Sequence, residues 1–109
     1  MSAKIRQWEI WKHPAQGQDH WYVIFSGQER LDSRHDQANG LLCVTLRGNL
    51  FKTDVMLNSA EGFQTETACQ CDLIYPLQKS KLYEKIGLVS EFRREAIKRK
   101  IIEVHRLTP

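Results

Sequence analysis

Over most of the chain, apolar side chains come in short runs that alternate with polar ones or stand together. Clusters of Gly, Asn, Asp and Ser separate these runs, as they separate short β-strands. Gln7 to Lys12 predicts a first strand with Trp8, Ile10 and Lys12 on one face and Glu9 and Trp11 on the other. His20 to Ser26, HWYVIFS, is an aromatic and β-branched run of the kind that forms a buried strand. Leu41 to Leu46 and Lys52 to Leu57 predict a hairpin turning at Gly48-Asn49. Thr65 to Ile74 predicts a fifth strand broken by Pro76, followed by an extended piece over Leu77 to Lys79 and a bend at Gly87. Pro14 and Gly17 mark a loop, and Gly27 to Gly40, almost without apolar residues, predicts a long surface loop.

The period changes after Ser90. Ser90 is placed to cap a helix, with Glu91 in its first turn, where a negative charge suits the helix dipole. Phe92, Ala96, Ile97, Ile101 and Val104 recur along one helical face, and Arg93, Arg94, Lys98, Arg99 and Lys100 fall mostly off that stripe. Short strands followed by one amphipathic helix predict a mainly β fold, a small barrel closed by a C-terminal α-helix.

With 109 residues the chain has room for a single domain, 1–109, around one core, and a second copy would add stability to so small a unit. No stretch approaches the roughly 20 apolar residues that span a bilayer, and Met1 to Arg6 leads into no apolar segment, so a cytoplasmic protein without membrane contact is expected. Cys43, Cys69 and Cys71 are an odd set, which argues against a disulfide framework. With His13, His20, His35 and His105 they make no zinc spacing, and neither metal nor cofactor is expected. The net charge of +3 permits an anionic partner, and the excess of basic residues lies between Ser90 and Arg106. There, a solvated face is the plainer reading of the basic run.

Several segments in succession carry a resemblance. They are Glu9-Ile10-Trp11, the His20 to Ser26 strand, Leu42-Cys43-Val44, Val55 to Leu57 with Gly62, Thr67-Ala68-Cys69-Gln70-Cys71-Asp72, and Lys81-Leu82 through Gly87-Leu88-Val89-Ser90 into a helix. In this order the chain resembles the MazF/PemK toxins. The resemblance implies a plug-like SH3-like barrel, a homodimer, and the toxin of a toxin–antitoxin pair. It implies a metal-independent endoribonuclease acting on single-stranded RNA through the RNA's own 2′-hydroxyl, inhibited by a cognate antitoxin that lays an acidic tail into the groove. The chain departs from the family where Arg-Pro is replaced by His20-Trp21, where Gln70 precedes Cys71-Asp72, and where Leu73 and Tyr75 stand in place of Gln and Arg.

Such chemistry needs a general base, a general acid and donors for the phosphorane. His20 is the candidate acid or base, since its ordinary pKa lies near neutrality; a satisfied strand-end histidine is the plainer reading. Arg47, beside a glycine turn, is the candidate phosphorane stabiliser; a solvated arginine is its alternative. Asp72 completes the catalytic set and reads equally as a structural carboxylate. Thr45, Gln70, Trp21 and His13 are the candidate RNA contacts, with Trp21 expected at the mouth of the site. The competing function is a degenerate family member that has lost catalysis and keeps only RNA or antitoxin binding. A gyrase-directed poison of the same fold is disfavoured because the chain ends Arg106-Leu107-Thr108-Pro109 without an aromatic.

Overall fold

The structure is a computed structural model that describes residues 4–14 and 18–106. The strands are β1 (Glu9–His13), β2 (His20–Ile24), β3 (Gln37–Thr45), β4 (Asp54–Leu57), β5 (Thr67–Gln70), β6 (Tyr75–Gln78) and β7 (Glu84–Leu88); the helices are α1 (Gln28–Asp32) and α2 (Glu91–Val104). All pairings are antiparallel, in the order β4-β5-β3-β2-β1-β7, with β6 on the first half of β3. The fold is mainly β, a curled sheet with one long C-terminal helix.

Strand alternation sends side chains to two cores on opposite faces of the sheet. One holds Trp8, Ile10, Val23, Leu41, Leu57 and Cys69 under Ile97 of α2. The other holds Trp11, Tyr22, Ile24, Leu31, Ala38 and Leu77. The first-strand alternation is thus as expected for Trp8 and Ile10 against Trp11. Glu9 shares the Trp11 side, where it is buried and accepts from the Arg6 N–H at 2.7 Å, the Trp11 indole N–H at 3.0 Å and Lys85 Nζ at 3.1 Å.

Three expected connections are corrected. First, β3 and β4 form no hairpin: β5 lies between them and is antiparallel to both, so residues 46–53 are a crossover between parallel strands. Second, residues 27–40 are not a loop. They contain α1 and the first half of β3, which buries Ala38 and runs under β6 at Gly40; a Cβ there would meet Leu77 Cδ1 at 2.4 Å. Lys79 Nζ holds the end of α1 by donating to the carbonyls of Arg30, Leu31 and Ser33 at 3.2, 3.1 and 3.0 Å. Third, the fifth strand divides into β5 and β6, and Pro76 sits within β6, an outer strand where its missing N–H is tolerated.

The sheet's two ends meet without pairing. Asn58 and Glu61 form a reciprocal cap around the 3₁₀ turn Ser59–Glu61, and Gly62 follows at φ 103°. Gly87 of β7 presses on this turn so closely that a Cβ would lie 2.0 Å from the Glu61 carbonyl oxygen. The Glu61 carboxylate, fully buried, accepts from Asn58 N at 3.0 Å and Ser90 N at 3.3 Å and pairs with Arg93 at 3.5 Å. This corrects the helix expectation. Ser90 starts α2 without a side-chain cap bond, Arg93 and Arg94 turn inward to Glu61 and to the Val89 carbonyl, and Phe92 stands 83% exposed. The demand of the buried Glu61 for a cation rotates the first turn of the helix away from its apolar residue.

Candidate active site

The β1–β2 pair places His13 opposite His20, and alternation puts both on the face of Tyr22. Their rings meet Tyr22 edge-on, at 6.1 Å for His13 and 6.4 Å for His20, and Tyr22 meets Tyr75 of β6 at 5.8 Å. Burial, with Tyr75 and Cys43 nearby, holds the Tyr22 hydroxyl above its ordinary pKa, so it stays protonated. His20 is half-buried at the end of this cluster, and His13 is buried. His13 Nε2 accepts from the Gln78 N–H at 3.0 Å, whereas its Nδ1 has no partner. Burial first, and then the Lys81 charge, hold this imidazole below its ordinary pKa against the opposing pull of Asp36, so it is neutral. A hollow of about 610 Å³ lies over it, walled by His13, Tyr75, Pro76, Leu77 and Lys81.

Trp21 points to the other face. It lines a second hollow, of about 420 Å³, with Cys43, Thr45, Thr65, Thr67 and Glu84. Lys12 Nζ lies 4.9 Å from the Trp21 ring centre and 3.7 Å from Glu84, so the ring is half-covered and lies under a cation. Hydroxyls from Thr45, Thr65 and Thr67 around an aromatic floor suit a polar ligand.

The predicted residues therefore divide. Trp21 and Thr45 share one hollow, His13 lines the other, and His20 joins His13 through Tyr22. Neither hollow includes Arg47 or Asp72. Arg47 is exposed after β3, one residue beyond Leu46, whose N–H donates to Glu66; Asp72 is exposed after β5. Between Glu66 and Asp72 run about 20 Å of extended chain. Within one chain the structure does not bring Arg47 and Asp72 to a common point. Asp72 instead faces Asp54, whose carboxyl is raised by burial and by the Asp72 charge. Gln70 is half-buried on β5, opposite Asp54.

Lys12, Tyr75 and Lys81 were missed by the sequence reading. The parity of the two flanking strands suffices to group His13, His20 and Tyr22. No local signal places Tyr75 and Lys81 beside them, because β6 pairs with a segment read as loop. Cys43 and Cys69 lie opposite each other, and the three thiols are buried and free. Contact with the Cys69 thiol and burial push the Cys71 thiol far above its ordinary range, so it stays protonated. No set of His, Cys, Asp and Glu among the described residues is arranged to hold a metal ion.

A mainly β curled sheet ending in a single long helix has the architecture of the MazF toxins. Solved structures with this fold cover nearly the whole chain. An endoribonuclease from a mycobacterial species superposes with a TM-score of 0.80 at 15% identity, over 100% of this chain and 98% of that one. The Mycobacterium tuberculosis toxin MazF-mt6 gives 0.77 at 17% identity, over 93% and 99%. MazE–MazF from Deinococcus radiodurans gives 0.77 at 11%, over 97% and 99%. No protein-family model and no curated protein matches the sequence. At these identities the likeness establishes the MazF-type fold.

Proposed function

We propose that this chain, acting as one unit over 1–109, is the endoribonuclease toxin of a toxin–antitoxin pair. It works in the cytoplasm as a homodimer, without a metal, on single-stranded RNA. The observation that carries the reading is His20 on the face of a MazF-type sheet, at the strand end where the MazF/PemK resemblance sets an arginine. The same fold occurs in an endoribonuclease described in complex with its cognate antitoxin, which supports an antitoxin as partner.

In this reading the His20 imidazole takes the proton of the RNA 2′-hydroxyl, and the oxygen attacks the adjacent phosphorus. The P–O5′ bond breaks as the His20 imidazolium gives its proton, through water, to the leaving 5′-oxygen, leaving a 2′,3′-cyclic phosphate and a 5′-hydroxyl. Arg47 stabilises the phosphorane, Gln70 holds a nucleotide, and Trp21 and Thr45, on the opposite face from His20, hold nucleotides further along the strand. Asp72 joins the site from the second copy, since extended chain separates it from Arg47 within one. Leu50, Phe51, Leu73 and Ile74, all exposed on the crossover and the β5–β6 turn, are the apolar surface such a pairing would cover.

Purified protein should cleave single-stranded RNA in EDTA, leave cyclic-phosphate ends, and scatter light with about twice the 12.8 kDa chain mass. Arg47→Ala should lower the rate by about 10²-fold or more. A folded protein that binds RNA but never cleaves it would replace this reading with a binding role.

A further inference from the structure

Lys12 stands in the middle of a row that crosses the sheet. It is in register with Trp21 of β2 on one side and with Glu84 of β7 on the other, and Trp21 is in turn opposite Cys43 of β3. Its ammonium lies 3.7 Å from Glu84 Oε2, too far for a hydrogen bond, and both side chains reach solvent, so the pair is weak. Two rings flank the cation instead, with Trp21 at 4.9 Å and Tyr83 at 5.9 Å from ring centre to Nζ. The Tyr83 N–H donates to the Lys12 carbonyl at 3.3 Å, which ties the second ring to this strand. Trp21 and Glu84 both line the hollow of about 420 Å³, a size within the roughly 300–1,000 Å³ of small-ligand sites. Thr45 and Gln64 add an exposed hydroxyl and an exposed amide to its rim.

We propose that Lys12, Trp21 and Tyr83 hold one nucleotide of single-stranded RNA, its phosphate on Lys12 and its base in the hollow against Trp21, with Glu84 standing in for the phosphate in the free protein. This rests on the RNA reading above. A cation held between rings beside a hollow with a polar rim has the composition of a single-strand site, which offers its charge to the phosphate and its ring to the base. A phosphate oxygen would give Lys12 the charge-assisted hydrogen bond that Glu84 does not. Glu84 and the phosphate would repel, so the carboxylate swings out, as its exposure permits. A charge and a ring face serve every nucleotide alike, so this site adds affinity and not sequence preference. Lys12 and Trp21 are the register pair next to His13 and His20. The RNA therefore reaches this face by passing over the end of β1 and β2, and the nucleotide held here lies a few positions from the cut.

The test measures how 2′-O-methyl oligonucleotides, which cannot be cut, bind the full-length protein at several salt concentrations. Lys12→Met keeps the apolar stem against the rings and removes the charge. It should weaken binding of every sequence alike and reduce the steepness of log affinity against log salt by about 0.7, the share of one phosphate on a single strand. Glu84→Gln should tighten binding, and that gain should disappear when Lys12→Met is added. Trp8 and Trp11 are buried, so Trp21 should carry the fluorescence change on binding, and Trp21→Phe should abolish it. An unchanged salt dependence in Lys12→Met overturns the proposal. So does an equal gain from Glu84→Gln with and without Lys12, or a fluorescence change that survives Trp21→Phe. If any of these occurs while the protein still cleaves natural RNA, this site alone fails. If no oligonucleotide binds and no RNA is cut, the RNA reading fails with it.

Discussion

Two regions of this small sheet handle buried polar atoms in opposite ways. At the closure between the 3₁₀ turn and β7, every charge has an answer: Glu61 is met by Asn58 N, Ser90 N and Arg93, and Gly87 leaves no space beside its carbonyl. At the far end of β1 and β2, His13 is as deeply buried but keeps one nitrogen without a partner beside an open hollow. The first arrangement spends its polar groups on holding the curl of the sheet. The second leaves one ring nitrogen, closed off from solvent, without a partner, and an unsatisfied buried donor costs stability.

The sharpest way to break the comparison is at the closure. In Gly87→Ala the added methyl would fall on the Glu61 carbonyl oxygen, and backbone on both sides cannot yield. The expected result is loss of the cooperative thermal transition and of the folded amide spectrum. A variant that melts like the parent would show that the contact is not what closes the sheet. Glu61→Ala is milder in space and leaves Arg93 without its buried partner and two N–H groups without an acceptor. Denaturant unfolding should report a loss of about 3 kcal/mol. A change under about 1 kcal/mol would mean that water replaces the carboxylate there.

The contrast also explains what could be read from the sequence. Alternation and aromatic content revealed β1, β2 and the central part of β3, because those strands have simple inside and outside faces. The helix was visible in its period, but its first turn was not. Phe92 looks like core until Glu61, distant in sequence, claims Arg93. The segment 27–40 read as loop because its strand is half polar and its narrowest point is a glycine, Gly40, chosen for the approach of Leu77. The crossover that sets β5 between β3 and β4 leaves no local trace, since Gly48-Asn49 is a turn in either topology. Of the site, His20 and His13 were legible as chemistry, while the ring path through Tyr75 and the donor at Lys81 depend on β6.

The smallest expected difference, and the most measurable, is in acid, between His13 and Glu9 at opposite ends of β1. At His13 the folded imidazole has its pKa held below the ordinary 6.5 by burial and then by Lys81, with Asp36 opposing. As the pH falls past 6.5 the unfolded chain takes up a proton that the folded chain refuses, so stability declines from there downward. Glu9, on the same face as Trp11, is different. Burial acts to raise its carboxyl, but the Arg6 N–H, the Trp11 indole and Lys85 together outweigh it and hold the pKa below the ordinary 4.5. Its contribution is complete above 4.5 and is lost only as the pH drops through the lower folded value. Unfolding followed from pH 8 to pH 3 should therefore weaken in two separated windows. Glu9→Gln should flatten only the more acidic one, and His13→Gln only the one beginning near 6.5. A single decline that neither substitution alters would assign the acid sensitivity to other groups and remove His13 as a neutral, donor-bearing ring.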